Sequence, residues 1–401
     1  MKILVINAGS SSIKLQLLEE KKHNLMRIYK GMINALNLKK SFIEETYNNT
    51  TQSSENKKLN HEQALKKLVE RIKYIGLIKN MKDIAALGHR VVHGGEEYIQ
   101  ITRLNEKVKN RIRYYGKFAP LHNPANLTAI EACEKLFPKT PQFAVFDTAF
   151  HQSIPKKAFL YALPYAYYKN MGIRKLGFHG TSHRYVAEET IKYLKKKNSK
   201  IITCHLGNGS SITAIQNGKS IDTSMGFTPL EGIPMGTRSG DIDPAIIFHI
   251  MKFCKISAEE TENILNKASG LLGISGISSD VRKLWALAQK KNQKALLALE
   301  ILSYRIAKYI GAYTSALNGL DAITFTGGIG EHAYYLRQQI CDHLSYLGLT
   351  LHPQKNKTNA LHINTPKSKI KVFIIPTDEE KQIAKEIHQF LKKQPAKPTH
   401  Y

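Results

Sequence analysis

VINAGSSSIK (Val5 to Lys14) and HLGNGSSITA (His205 to Ala214) decide how the rest of this chain is read, because they carry one device twice. Aligning Gly9-Ser10-Ser11 with Gly209-Ser210-Ser211 sets the copies 200 positions apart. Each follows a run rich in β-branched residues, Ile3 to Ile6 and Ile201 to Thr203, and leads into a short alternating run. The pattern is strand, glycine turn, strand. Hydroxyls and backbone N–H groups gathered at such a turn suit phosphate oxygens, since glycine lets the backbone approach closely and exposed amides favour anions. A single Gly-Ser turn is ordinarily structural. Two in matching context predict a duplicated domain with a phosphate-bearing ligand held between the halves.

The length of 401 residues exceeds what one core usually serves, so two domains are expected. An apolar content of 42% suits a globular chain. The apolar N-terminal run is short and enters the first hairpin directly, unlike a signal peptide or membrane span. Cys133, Cys204, Cys254 and Cys341 form no CxxC pair and read as reduced and buried, as in a cytoplasm. The formal charge of +27 raises the question of nucleic acid. The lysines are spread along the chain, however, without an arginine-rich tract interleaved with aromatics, so they read as solvated faces.

Along the chain, residues 47–61 (YNNTTQSSENKKLNH) are polar and read as a loop. Residues 64–75 place Leu65, Leu68, Val69 and Ile72 on one helical face, stopped by Gly76. Short apolar runs at 84–87 and 142–146 read as buried strands that deliver Gly88-His89-Arg90 and Asp147 at their C-terminal ends. Ligands of open α/β sheets bind off such ends. The second half repeats the order: the hairpin, a long helix at 294–313, a strand DAITF running into TGGIGEH, a strand KVFII, and a last helix through about Lys393. Alternating strands and helices make the class α/β. The stretch TSMGFTPLEGIPMGTRSGDIDP (223–244) has too many turn residues for a core, and long ordered loops are usually functional.

Three motif matches mislead. NGKS (217–220) resembles the end of a P-loop but lacks its first glycine, where Thr213 stands. GIGEHA (328–333) lacks the acidic residue expected about 20 positions on. HGTSH (179–183) has zinc-like spacing without the HExxH glutamate. What remains suits phosphoryl transfer, which needs phosphate cradles, a divalent cation on carboxylates, and cations around the moving group. Arg90 and Arg238 lie in glycine-rich segments, Asp147 follows an apolar strand, and Glu379 and Glu380 either bind metal or begin the last helix, where the dipole favours acids.

INAGSSSIK, GHRVVHGG, LHNPANL, FDTAFHQSIP, GFHGTSHRYV, HLGNGSS, DTSMGFTPLEG, MGTRSGDIDP and TGGIGE occur in one order, and in that order they resemble the acetate kinase family. The resemblance runs from Met1 to about Ile387. It implies two duplicated ribonuclease-H-like, actin-like ATPase domains with an ATP cleft between them: residues 1–148, rejoined by a terminal helix at about 380–393, and residues 149–379, with 394–401 a disordered tail. It also implies Mg²⁺-dependent, reversible transfer of the ATP γ-phosphoryl to acetate, a carboxyl acceptor, giving acetyl phosphate and ADP, in a cytoplasmic homodimer without nucleic-acid or membrane partners. Mn²⁺ could substitute for Mg²⁺.

By the same resemblance, Asn7 and Glu379 would hold the metal, and Ser10, Ser12 and Lys14 would line the phosphate end. Arg90 would bind the carboxylate. Val92, Leu121, Phe178 and Pro229 would wall the methyl pocket, with His122 beside it. His179 and Arg238 would stabilise the transferring group, supported by His183. His205, Leu206, Gly207, Asn208 and Gly209 would hold ATP phosphates. Asp280, Val281 and Arg282, with Gly328, Ile329, Gly330, Glu331 and His332, would hold the nucleoside. Asp147 matches the family's acid/base residue. Acetate is already ionised at pH 7, so orienting metal or nucleophile is the more economical role, and Asp147→Asn is expected to keep the fold and lose most of kcat. Propionate or butyrate kinase is the alternative within the family; an ATP-switching actin- or chaperone-like protein is the distant one.

Overall fold

The computed structural model describes residues 1–22, 24–120 and 122–393. Leu121 and the expected tail at 394–401 lie outside them. The chain divides into two compact units, Met1–Ala149 with the chain from Asp378 onward, and Phe150–Thr377. Glu379, expected in the second domain, therefore belongs to unit 1.

Unit 1 contains β1 (Lys2–Ala8), β2 (Ser12–Lys21), β3 (Asn24–Asn34), β4 (Lys40–Tyr47), β5 (Thr50–Lys57), β6 (Ile84–Val91), β7 (Thr102–Arg103) and β8 (Gln142–Phe146) in one sheet ordered β5-β4-β3-β2-β1-β6-β8-β7. Unit 2 contains β9 (Lys200–Leu206), β10 (Ser210–Gln216), β11 (Lys219–Thr223), β12 (Ala322–Thr326) and β13 (Lys371–Ile374), ordered β11-β10-β9-β12-β13. The two share a plan. A first strand pairs antiparallel with the second, the second with the third, and on its other side the first runs parallel to a later strand. This is the duplicated α/β architecture expected from the paired hairpins.

The repeat in letters is not the repeat in geometry. In unit 1 the pair Ala8↔Ile13 closes around Gly9–Ser12, whereas in unit 2 Leu206↔Ser210 closes around Gly207–Gly209. Gly9 thus opens its turn, its N–H donating to the Ser12 carbonyl at 2.8 Å, while Gly209 ends its own. Aligning Gly9 with Gly209 matches similar residues at different places in the turn.

Residues 47–61 are a further correction, because they contain β5 rather than a loop. β5 pairs with β4 from Tyr47↔Thr50 to Lys40↔Lys57, yet is almost wholly exposed. With neither face buried, no alternation marks it in the sequence. The polar side chains of this edge strand disfavour further pairing. NGKS is a hairpin turn between β10 and β11, with Asn217 and Gly218 both at positive φ (52° and 77°), the type that Asn-Gly favours. The helix over residues 64–75 starts earlier, as His61–Tyr74, because Asn60 and Gln63 form a capping box. Its buried face includes Leu65, Leu68, Val69 and Ile72. Cys254 is exposed, against expectation, while the other three cysteines are buried.

The last helix, Glu379–Lys393, packs Ile383, Ala384 and Ile387 with Ile3, Val5 and Ala86 of the unit 1 sheet. Each buried isoleucine contributes about 1.5–3 kcal/mol. Gly88 permits the approach: a Cβ there would lie 2.6 Å from Ile387 and 2.7 Å from Ile383. That packing carries Glu379 and Glu380 into unit 1. No described helix is long and apolar enough to cross a membrane.

Candidate functional site

In unit 1 the ends of the parallel strands converge, as the sheet rule anticipates. Asn7 and Arg90 are the last residues but one of β1 and β6, and Asp147 follows β8. Arg90 Nη2 is 2.5 Å from Asp147 Oδ2 and its Nε is 3.1 Å from Oδ1, a two-pronged grip. Its Nη1 donates to Asn7 Oδ1 at 3.2 Å, and its Nε is 3.3 Å from Glu379 Oε2. The Asn7 amide donates to Glu379 at 3.4 Å and to Glu380 at 3.1 Å. Lys14, paired with Asn7 across the hairpin, meets Glu380 Oε2 at 2.7 Å, and Gln16 donates to the same oxygen at 3.1 Å. Asp147 is 1% exposed and Glu380 0%. Burial works against the charge of Arg90, but Asp147 and Glu379 outweigh it and raise its pKa. Lys14 follows the same pattern, with burial overcome by Glu380.

Ser10 is exposed at the turn and Ser12 half-buried at the start of β2. The segment after β6 is pinned from the helix Asn123–Leu136: Asn126 accepts from the Val92 N–H at 3.1 Å, and Asn123 from the His93 N–H at 3.0 Å. Asn126 also donates to the Ala8 carbonyl at 2.7 Å. Val92 is buried, and His122 caps that helix. These asparagines and Gln16 were missed as site residues, whereas Glu380, one of the two carboxylates the sequence offered for metal or for the helix start, is taken up by Lys14 and Gln16. The NPAN spacing was a usable signal, since i and i+3 share a helical face.

Unit 2 gathers a different set. His179 caps the helix Gly180–Leu194 with φ 55°, and its Nδ1 lies 2.9 Å from Ser211 Oγ. Its ring stacks on that of His205, with centroids 4.3 Å apart. His183, one turn on, is buried between Thr203 Oγ1 and Ser211 Oγ, each at 2.7 Å. Arg238 donates to the Pro229 carbonyl at 3.2 Å and meets the Met235 sulfur at 3.6 Å. Among the described residues no carboxylate pairs with it, and burial lowers its pKa. Arg238 and His179 meet above Gly209: a Cβ there would lie 3.5 Å from Arg238 Nη1 and 3.6 Å from the His179 ring. Phe178 is buried, its carbonyl 3.0 Å from His151 Nε2.

The long loop bearing Pro229 and Arg238 is tied down rather than loose. Tyr161 bonds Glu231, Lys175 reaches Glu231 at 3.0 Å, and Tyr309 donates to Asp241 at 2.5 Å. Asp241 also accepts from the Gly232 N–H at 2.8 Å.

A cavity of about 640 Å³ in unit 2 is lined by Gly207, Asn208, Ser279–Arg282, Gly328, Ile329, His332, Ala333 and Tyr335. Of the expected nucleoside residues, Gly330 and Glu331 do not line it. Glu331 turns back to accept from the Gly327 N–H at 2.9 Å, and the Gly330 carbonyl is held by buried Arg337 at 2.8 Å. Gly327, at φ 76°, is required there, since a Cβ would strike the Leu206 carbonyl at 2.7 Å. Asp280 caps the helix Val281–Ala288 and also binds exposed Arg282. Tyr335 was missed; it stacks on Trp285 at 4.0 Å.

Residues 2–385 match the sequence profile of the Acetokinase family. The chain belongs to this family. It is 49% identical to the acetate kinase of Caldicellulosiruptor saccharolyticus, covering 98% of this chain and 100% of the relative. Identity to the acetate kinase of Halothermothrix orenii is also 49%, over 96% and 98% of the two chains. Among solved structures, Porphyromonas gingivalis acetate kinase matches with a TM-score of 0.89 and 41% identity over 97% of this chain and 99% of that one. A propionate kinase from Francisella tularensis matches with a TM-score of 0.90 and 42% identity, over 96% and 98%. Membership in the acetokinase family accounts for the order of the sequence blocks and for the two similar sheets. Among the described residues no group of three or more His, Cys, Asp or Glu is arranged to hold a metal alone. Asn7 and Glu379 still suit Mg²⁺, an oxygen-seeking cation that commonly takes one or two carboxylates and completes its shell with water and substrate phosphates.

Proposed function

We propose that this protein is an acetate kinase, transferring the ATP γ-phosphoryl reversibly to acetate. The observation that carries the reading is the Asn7–Arg90–Asp147–Glu379 cluster in a chain related to acetate kinases over nearly its whole length. An acetate oxygen attacks the γ-phosphorus, the bond to the ADP oxygen breaks, and no proton need move, because acetate is ionised. Arg90 receives the carboxylate, and Asp147 fixes Arg90 through both oxygens. That favours an orienting role for Asp147 over an acid/base one. In unit 1, buried Val92 gives the acid's methyl group apolar contact.

In unit 2, Arg238 and His179 stabilise charge on the phosphoryl oxygens, the Gly207–Gly209 turn binds ATP phosphates, and the cavity beside it takes the nucleoside. Ser10, Ser12 and Lys14 serve the phosphate end from unit 1. Asn7 and Glu379 would hold Mg²⁺, or Mn²⁺ in its place, and the cation would neutralise phosphate charge. ATP and acetate as substrates support a reading of cytoplasmic work on small molecules.

Hydroxamate trapping of the acyl phosphate from acetate, propionate and butyrate with Mg-ATP tests this. Acetate should react fastest; equal rates overturn the acetate assignment, and no product from any acid overturns the kinase. One methylene is worth only about 1–3 kcal/mol, so the Francisella relative makes propionate the alternative to measure.

We also propose a homodimer. The helix Ala245–Cys254 (AIIFHIMKFC) has no buried residue, and Phe248 and Phe253 are 70% and 79% exposed. Apolar surface of that kind marks an association site. Light scattering should give twice the chain mass, and Phe253→Lys with Phe248→Asp should give the monomer; a monomeric wild type would overturn the dimer.

A further inference from the structure

Ser211 holds two imidazoles of unit 2 through one oxygen. Its Oγ, fully buried on β10, is 2.9 Å from His179 Nδ1 and 2.7 Å from His183 Nε2. A hydroxyl has one proton, so it donates to one ring and accepts from the other. Burial, and then His151 and His205, push the His183 pKa far down, so its ring is neutral and bears a single proton. The other His183 nitrogen is 2.7 Å from Thr203 Oγ1.

Two hydrogen-bond arrangements follow. With the His183 proton on Nδ1, toward Thr203, Nε2 accepts the Ser211 O–H and the Ser211 oxygen accepts from a protonated His179 Nδ1. With that proton on Nε2, Ser211 must donate to a bare His179 Nδ1. Only the first admits an imidazolium at His179, whose second N–H then serves a phosphoryl oxygen. His205 stacks on the same ring and is itself fixed, its Nδ1 2.8 Å from Ser182 Oγ, while Arg238 shares the Gly209 surface.

We propose that Ser211 is a positioning residue for the phosphoryl transfer: its hydroxyl, tied to His183 and Thr203, sets which nitrogen of His179 bears the proton and holds that ring in one orientation. The proposal rests on the acetate kinase reading. A serine in a strand next to a glycine turn reads as turn chemistry in sequence, so nothing there separates Ser211 from Ser210.

Ser211→Ala removes one oxygen and no carbon. It should lower kcat about tenfold to a hundredfold, the scale for loss of an orienting partner, with KM for acetate and ATP held within about twofold. Ser211→Thr keeps the hydroxyl and should recover most of the loss. In a His179→Ala background, adding Ser211→Ala should cost under about twofold, because the residue through which Ser211 acts is gone. An equal cost in both backgrounds, or wild-type kcat in Ser211→Ala, overturns the proposal.

Long-range ¹H–¹⁵N spectra of histidine-labelled protein add a readout independent of turnover. The His179 ring shifts should report one dominant tautomer in the wild type and move in Ser211→Ala; unchanged shifts overturn it. If the wild type formed no acyl phosphate, the kinase reading would fail while these spectra still decided the role of Ser211.

Discussion

Arg90 in unit 1 sits 2.5 Å from one carboxylate and 3.3 Å from a second, whereas Arg238 in unit 2 meets, among the described residues, a carbonyl at 3.2 Å and a thioether at 3.6 Å but no carboxylate. The same side chain is solved electrostatically in one unit and left wanting an anion in the other. A half-buried cation without a counter-ion bears part of the desolvation cost and so weakens the fold. It also costs no reorganisation when negative charge arrives, which is what an electrostatic catalyst needs. In unit 1 the cation is held within a network of carboxylates; in unit 2 it is held without one among the described residues.

The contrast breaks most visibly at Arg90. Arg90→Ala leaves Asp147 buried without its cation, and removing one member of a buried pair costs about 3–5 kcal/mol. Urea unfolding should show that loss, and Arg90→Ala with Asp147→Asn should recover part of it. An Arg90→Ala protein of wild-type stability would mean that the network does not compensate internally.

Arg238→Ala is the mirror experiment. Loss of one preorganised donor costs about 2.7–4 kcal/mol in the transition state, so kcat should fall on the order of a hundredfold to a thousandfold. Stability should hold or rise, since the desolvated charge goes with the side chain. If KM for acetate rose while kcat held, Arg238 would be a binding residue only.

This asymmetry was half legible in the sequence. Arg90, Asp147 and the start of the last helix could be placed at strand ends because apolar runs mark strands and ligands gather at their C-terminal ends. The partners of each could not, since pairing of Lys14 with Glu380 spans 366 positions and depends on where the last helix docks. β5 left no periodic trace because neither face is buried. The hairpin repeat gave the right architecture from a misaligned turn: strand, turn and strand survive a shift that moves Gly209 to the far end of its loop. Tyr335 was invisible because a tyrosine in a helix reads as ordinary packing until its neighbours are known.

The units also carry buried histidines that make acid a probe of each. His89 and His93 in unit 1 and His151 in unit 2 are pulled down to about 4, chiefly by burial. Unfolded histidine titrates near 6.5. Below that value the unfolded chain takes up protons that the native chain refuses. Stability is therefore full above about pH 6.5 and lost as pH falls toward about 4, by up to about 1.4 kcal/mol per pH unit for each histidine. Urea midpoints at pH 7, 6 and 5 should fall, and His89→Gln should remove one proton from the slope in unit 1, as His151→Gln should in unit 2. A slope unchanged in both variants would place the acid sensitivity elsewhere.

The smallest effect tests whether unit 2 separates nucleoside binding from catalysis. Tyr335 lines the 640 Å³ cavity and stacks on Trp285, ring planes 3° apart, and Trp285 is the one tryptophan in the chain. An aromatic contact of this kind contributes about 0.5–1.5 kcal/mol beyond its area. Tyr335→Ala should therefore weaken ADP about twofold to tenfold, raise KM for ATP similarly, and leave KM for acetate alone, unlike loss of either arginine. Titrating Mg-ADP while following Trp285 fluorescence reads the wall directly in the wild type. If Tyr335→Ala kept full ADP affinity while Trp285 still responded, the aromatic pair would be support for the cavity rather than part of its binding face. The nucleoside would then be held by the backbone of Gly328–Ile329 and the Asp280 rim, and the line between binding and catalysis in unit 2 would run between the Gly207–Gly209 turn and the helix start at Val281.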